Sequence, residues 1–101
     1  MVENIREQLR QLLLKKSVRT GEFTLASGKK SDLYVDCRVT SFDAQGARLI
    51  GEAGWALVRD YLAAQDLSAA AIGGMTLGAD PISLAIGMES ARQQPDRFLQ
   101  V

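Results

Sequence analysis

The sequence has 101 residues with twelve basic and twelve acidic side chains, so its formal net charge is zero. This length accommodates one domain at most, and 47% hydrophobic with 24% charged residues is typical of a folded globular protein. Zero net charge gives no reason to expect binding to nucleic acid or to an anionic membrane surface. An anionic ligand would therefore need a local site.

Two residue counts exclude several kinds of chemistry within this chain. It has no histidine and one cysteine, Cys37, which excludes Ser-His and Cys-His catalysis, His-zinc sites and an internal disulfide. We expect Cys37 to be a buried free thiol. No apolar run reaches the roughly 18 residues of a membrane span, and the first residues lack a signal-peptide core, so we expect a cytoplasmic protein without a membrane partner.

The first part of the chain predicts a helix followed by a β-ribbon. Apolar residues recur at helical spacing over residues 2–16, which indicates an amphipathic helix. Residues 17–21 are predicted to end that helix, with Gly21 as the turn residue. Residues 23–35 alternate and turn in the manner of an irregular β-ribbon.

The rest of the chain predicts a helix, a strand, a second helix and the start of another strand. Asp43 is the expected N-cap of a helix that extends to about residue 64. Residues 67–72 are short, apolar and followed by glycines, which predicts a buried parallel strand. Asp80 is predicted to cap the second helix, with Pro81 at its first position. The order of elements favours an α/β domain with one strand–helix–strand crossover over residues 67–101.

The apolar side chains of the second helix are predicted to point inward. They are Ile82, Ala85, Ile86 and Met88.

The stretch AIGGMTLGADPI, residues 71–82, carries a predicted strand into a glycine-rich turn before a helix. Such turns present backbone N–H groups to anionic ligands at the positive end of a helix dipole. The same glycines also fit a tight turn that binds nothing. The candidate phosphate-binding loop consists of Gly73, Gly74, Met75, Thr76, Leu77, Gly78 and Ala79.

A second stretch, GEFTLASGKKSDLYVDCR, resembles the N-terminal signature of orotate phosphoribosyltransferases. The signature reads roughly Phe-x-Leu-x-Ser-Gly, two variable residues, Ser, then an aromatic and hydrophobic pair before an acidic or amide residue. The matching residues are Phe23, Leu25, Ser27, Gly28, Ser31, Tyr34, Val35 and Asp36. The stretch GGMTLGADPI is similar to the family's pyrophosphate loop in position and glycine placement. The resemblance covers essentially the whole chain, including both helices that precede the loop, and is to the N-terminal half of a type I phosphoribosyltransferase.

This resemblance implies an α/β fold with a Rossmann-like parallel sheet and a small helix-plus-β-ribbon hood. Residues 1–40 would be the N-terminal helix and orotate-binding hood, and residues 41–101 the first, incomplete part of the core. The implied reaction transfers the ribose 5-phosphate group from phosphoribosyl pyrophosphate to orotate, giving orotidine 5′-phosphate and pyrophosphate in pyrimidine biosynthesis. Mg²⁺ is the implied cofactor and a cytoplasmic homodimer the implied assembly.

The resemblance also assigns roles to individual residues. Tyr34 and Val35 would hold the orotate ring, and residues 73–79 would bind pyrophosphate. Lys29, Lys30 and Arg38 are candidate basic contacts. No residue of this chain is assigned to catalysis or to a metal.

Two positions depart from the family pattern. Many relatives carry lysine where Ala26 stands, and a basic residue often stands where Leu77 lies before the second loop glycine. The family's catalytic loop and ribose-phosphate motif are not in this chain, so we expect it to be inactive alone. Two alternatives stay open: a non-catalytic phosphoribosyltransferase-like binding or regulatory protein, and a structural or truncated product acting through dimer contacts.

Overall fold

The computed structural model describes residues 2–101, and over this range it contains four helices and a two-stranded antiparallel sheet. Strands β1 (Val18–Thr24) and β2 (Lys30–Val35) form a β-ribbon. This mixture of helix and strand, with a ribbon following the first helix, agrees with the predicted class. The helices are α1 (Val2–Lys16), α2 (Arg38–Ser41), α3 (Ala44–Ala64) and α4 (Asp80–Gln93).

The prediction that Gly21 forms a turn after the first helix is wrong. Helix α1 ends at Lys16, and the chain enters β1 two residues later. Gly21 lies inside β1 with φ +149°, where the pairing with β2 shifts register between Thr20 and Phe23. It therefore accommodates an irregularity of the ribbon, a common position for glycine in a strand.

Helix α3 is the longest element, and its predicted start is confirmed. Asp43 is the N-cap, and its Oδ2 accepts a hydrogen bond of 2.9 Å from the backbone N–H of Gly46. This bond satisfies one of the amide groups that a helix start leaves unpaired. Its buried residues are Gly46, Leu49, Gly51, Trp55 and Ala56.

The predictions for α4 are only partly correct. The helix begins at Asp80, but its N-cap is Ala79, and the carboxylate of Asp80 instead accepts a hydrogen bond from the hydroxyl of Thr76. Ile86 is buried as predicted, whereas Ile82 is 37% exposed and Met88 is 63% exposed. Helix α4 packs on α3, so one face is covered and Met88 lies outside it.

The predicted parallel strand is present only as a single bridge. Ala71 pairs with Gln100 in parallel, through Ile72 N to Gln100 O at 2.8 Å and Gln100 N to Ala70 O at 2.9 Å. The expected burial is wrong, because Leu67 and Ala71 are exposed. Within residues 2–101 this segment has one strand partner, and a parallel strand becomes buried only when neighbours cover both faces.

The core lies where the bridge meets the helix pair. Trp55, Ile86 and Leu99 form its buried cluster, with Val58 and Ile72 packed against it. Ile72 is the last residue before the glycine loop, so the core holds the start of that loop in place.

Candidate functional site

The glycine loop, residues 73–79, is a turn on the surface between Ile72 and α4. Ala79 N donates to Met75 O at 3.0 Å, which closes the end of the loop. The hydroxyl of Thr76 donates to the carboxylate of Asp80, 2.9 Å from Oδ2 and 3.2 Å from Oδ1. The peptide bond that follows Thr76 is cis. The loop is therefore tied to the first turn of α4.

The backbone N–H groups of residues 73–78 indicate which kind of ligand this loop can bind. Among the residues that the structure describes, these amides have no hydrogen-bond acceptor, whereas those of Ile72 and Ala79 do. Every residue from 73 to 78 is exposed. Successive unpaired amides beside a helix N-terminus favour an anion.

The three loop glycines differ in what a side chain would meet. A Cβ at Gly74 would lie 2.6 Å from the Cβ of Ala79, so packing within the loop requires glycine there. At Gly73 and Gly78 a Cβ would meet no described atom within 4 Å, and neither φ lies in the positive region. Packing and backbone conformation therefore leave these two glycines unexplained, whereas close approach of a ligand would require them.

Tyr34 and Val35 lie at the end of β2, where the ribbon returns to α1. Val35 pairs with Val18, and Tyr34 pairs with Arg19. The ring of Tyr34 lies against that of Phe23, with centroids 5.5 Å apart and planes inclined at 34°. Tyr34 is 40% exposed and Val35 49% exposed, so both remain accessible to a ligand.

The candidate basic residues fall into two groups. Lys29 and Lys30 are exposed at the ribbon turn and form no ion pair within the described part of the chain. Arg38 is already paired, with its Nε 3.1 Å from Oδ1 of Asp36. This hydrogen bond lowers the pKa of Asp36 below its usual value and raises that of Arg38. Arg38 would have to leave or share Asp36 to contact a ligand.

Cys37, beside Arg38, is exposed, so the expectation of a buried thiol is wrong. It lies at the N-terminal end of α2, a helix of only four residues. The sequence did not reveal α2, because one helical turn is too short for an apolar period to be recognised.

The ribbon and the loop belong to different packing groups. The ribbon contacts α1, α1 packs on α3, and α3 packs on α4. No hydrogen bond or ion pair between described residues joins the ribbon to residues 73–79. The predicted orotate contacts in the ribbon and the predicted pyrophosphate contacts in the loop are therefore positioned relative to each other by the three helices between them.

Sequence reasoning gave Asp80 a capping role and missed its bond with Thr76. The available signal was the spacing of four residues between a hydroxyl and a carboxylate at a helix start, where such local bonds are common. Among residues 2–101, no group of three His, Cys, Asp or Glu side chains could hold a metal ion. None of the helices described is long and apolar enough to cross a membrane.

Several curated proteins are similar to this chain, although no family model matches it. The orotate phosphoribosyltransferase of Thermosynechococcus vestitus is 38% identical over 94 residues, 93% of this chain and 46% of the relative. That of Corynebacterium glutamicum is 44% identical over 80% of this chain and 41% of the relative. That of Mycobacterium avium is 41% identical over 98% of this chain and 51% of the relative. The chain spans about half the length of the curated relatives it matches.

Solved structures give the same result. Orotate phosphoribosyltransferase of Mycobacterium tuberculosis in complex with Fe(III) dicitrate matches with a TM-score of 0.68 at 38% identity, over 82% of this chain and 46% of that chain. The same enzyme in complex with inorganic phosphate gives 0.67 at 38% identity, over 83% and 46%. In sequence and in fold, the chain is therefore similar to about half of an orotate phosphoribosyltransferase.

Proposed function

We propose that this chain is part of a cytoplasmic, homodimeric orotate phosphoribosyltransferase. The enzyme would transfer the ribose 5-phosphate group from phosphoribosyl pyrophosphate to orotate, releasing pyrophosphate and orotidine 5′-phosphate. Relatives of that name support the proposal, and one relative was solved with inorganic phosphate. Residues 1–40 would carry the orotate hood and residues 41–101 the first part of the core.

The observation that carries this proposal is the set of unpaired amides between Gly73 and Gly78. Pyrophosphate is a multiply charged anion, and charge develops on it as it leaves the ribose. Orotate is already anionic, so the step needs little proton transfer, which suits a chain without histidine. One well-placed donor at a developing negative charge contributes roughly 3 kcal/mol, and residues 73–78 offer several.

The ribbon would supply the second half of the site. Tyr34 presents a partly exposed ring for stacking on the orotate ring, and Val35 offers backbone polar groups beside it. Since Leu77 carries no charge, a basic side chain from elsewhere must complement the pyrophosphate. Lys29 and Lys30 have no ion-pair partner among residues 2–101, which makes them better candidates than Arg38.

Mg²⁺ is the cofactor of the proposed reaction, although no group of three His, Cys, Asp or Glu side chains that could hold a metal ion comes together in the part of the chain described here. Mg²⁺ binds readily through substrate phosphates with few protein ligands. We therefore assign no residue of this chain to the metal.

Titration calorimetry of the 101-residue chain with inorganic pyrophosphate tests the loop. We expect measurable binding, and an affinity about tenfold weaker in a Gly73→Ala, Gly78→Ala double variant, because the added Cβ groups occupy the space that the ligand needs. Met75→Ala is the matched control, since its side chain is 86% exposed and the backbone amides remain. Equal affinity in the double variant and the wild type would rule out this loop as the pyrophosphate site.

Turnover is measured on the same sample with orotate and phosphoribosyl pyrophosphate. We expect no orotidine 5′-phosphate from the 101-residue chain alone. Product formation by a species with the mass of this chain, 11.0 kDa, would contradict this expectation. It would show that turnover does not require the half of the relatives' sequence that this chain does not match.

A further inference from the structure

The most deeply buried side chains among those described are hydroxyls: Thr40 and Ser90 at 0% exposure and Ser17 at 1%. Two of them are bonded to each other, with Ser17 Oγ 2.5 Å from Thr40 Oγ1. Ser17 connects α1 to β1, and Thr40 lies in α2, which connects β2 to α3. The bonded pair therefore lies where both ends of the ribbon meet the helices.

Further bonds fix Ser17 in this position. Its N–H donates to Leu13 O at 2.8 Å, which continues α1 by one residue. Its carbonyl accepts from Asp36 N at 2.9 Å, directly after the end of β2. Ser17 thus holds the beginning and the end of the ribbon against α1.

Thr40 is fixed from the other side by α3. A Cβ placed on Gly46 would lie 2.0 Å from Thr40 O, so α2 contacts the first turn of α3 directly. Asp43 adds a second link, because its Oδ1 accepts from Lys16 Nζ at 2.9 Å while its Oδ2 caps α3. The end of α1, the short helix and the start of α3 are therefore joined by directional contacts.

The ribbon has few apolar contacts of its own that would set its angle. Phe23 and Val18 are half-buried, and most of its other residues are exposed. A hydrogen bond constrains both distance and direction, whereas an apolar contact allows sliding. Tyr34 and Val35 immediately precede Asp36, whose amide donates to the backbone carbonyl of Ser17, so their position follows that of Ser17.

We propose that the hydroxyl pair of Ser17 and Thr40 is a joint that positions Tyr34 and Val35 for orotate. The two are positioning residues, since neither side chain is accessible to a ligand. This inference rests on the proposed function, because it takes orotate as the ligand of the ribbon.

The test replaces Thr40 with valine, which keeps the shape but removes the hydroxyl, and with serine, which keeps the hydroxyl. Residual dipolar couplings report the angle of the ribbon relative to α3, and calorimetry gives the dissociation constants for orotate and for pyrophosphate. We expect Thr40→Val to change that angle and weaken orotate binding about tenfold, with pyrophosphate binding unchanged. Thr40→Ser should restore both the angle and the orotate affinity.

Ser90→Ala is the matched control. Ser90 is an equally buried hydroxyl, but it bonds Leu99 N and Gly87 O in the α4 region. We expect this variant to lower thermal stability without changing orotate affinity. Ser17→Ala removes the other hydroxyl of the pair, and it replaces Thr40→Val in the same measurements if that variant does not fold.

An unchanged ribbon angle and an unchanged orotate affinity in a folded variant lacking either hydroxyl would overturn the proposal and leave the pair a packing role. A wild-type chain that binds no orotate would instead refute the ribbon's part in the proposed function. The dipolar couplings would still decide whether the joint fixes the ribbon.

Discussion

Glycines in the α3–α4 helix pair and glycines in the 73–79 loop serve different purposes. A Cβ on Gly51 would lie 2.6 Å from Ala85 O, and one on Gly54 would lie 2.6 Å from Ile86 Cδ1. In the loop, a Cβ on Gly73 or on Gly78 would meet no described atom within 4 Å. A glycine indicates a ligand site only after packing and positive φ have failed to explain it.

Side-chain truncation should give the largest difference in free energy of unfolding between the helix pair and the loop. Trp55 is 4% exposed in the core, whereas Met75 in the loop is 86% exposed. We expect Trp55→Ala to lower the free energy of unfolding by about 3–5 kcal/mol, and Met75→Ala to change it by less than about 0.5 kcal/mol. Urea denaturation followed by circular dichroism measures both.

Trp55→Phe refines this test. The indole Nε1 is buried with no hydrogen-bond partner among the described residues, so its removal costs no bond. We expect a much smaller loss than for alanine. Equal losses for phenylalanine and alanine would mean that the indole N–H has a partner in solution.

The next effect separates two glycines of the same helix. Gly51→Ala forces a methyl group against the backbone of α4, and we expect a loss of about 1–3 kcal/mol. A Cβ on Gly54 would meet Cδ1 and Cγ1 of Ile86 at 2.6 and 2.7 Å, a side chain and not the backbone, so the loss for Gly54→Ala should be smaller. The reverse order of the two urea midpoints would show that α3 and α4 pack differently in solution.

A smaller effect separates two glycines in open space. Gly28 has φ +85°, and we expect Gly28→Ala to cost about 1–2 kcal/mol through backbone strain alone. Gly73→Ala should cost less than about 0.5 kcal/mol, because its φ is ordinary and its surroundings are empty. A large loss at Gly73 would mean that the fold requires this glycine, and the argument for a ligand there would fail.

The smallest effect concerns acid pH. Hydrogen bonds from Arg92 and Arg38 lower the pKa of Glu89 and of Asp36 respectively below the unfolded values of 4.5 and 3.8. A lowered folded pKa contributes stability that is present above the unfolded pKa and lost as pH falls through the folded pKa. We expect urea midpoints to decrease from pH 5 towards pH 3.

Two variants measure how much of that pH dependence comes from Glu89 in α4 and how much from Asp36 after β2. Glu89→Gln should remove more of it than Asp36→Asn, because the Glu89 side chain is 9% exposed and the Asp36 side chain 27%. Each variant should be less stable than the wild type at pH 5 and closer to it at pH 3. A larger effect of Asp36→Asn would contradict this ranking.

The elements that sequence predicted well are those with a local cause. The apolar period of α1 and the capping carboxylate of Asp43 depend on residues within one or two turns. The bulge at Gly21 and the exposure of Leu67 depend on which strands lie alongside, and no local pattern records that.

The candidate site shows the same limit. Its residues could be predicted as a set, from the glycine spacing and the family signature. The sequence could not separate Gly74, which Ala79 explains, from Gly73 and Gly78. Nor could it show that Ser17 and Thr40 meet, because they are 23 positions apart and belong to no repeating pattern.

The parallel bridge between Ala71 and Gln100 fastens the start of the glycine loop to a segment that is distant in sequence. The amide of Ile72, one residue before Gly73, donates to Gln100 O, which lies beyond the far end of α4. Opening of this pair, together with release of the Ile72 side chain from the core, would free the start of the loop without unfolding either helix. Hydrogen exchange at the Ile72 amide therefore measures the free energy of releasing the loop, separately from that of global unfolding.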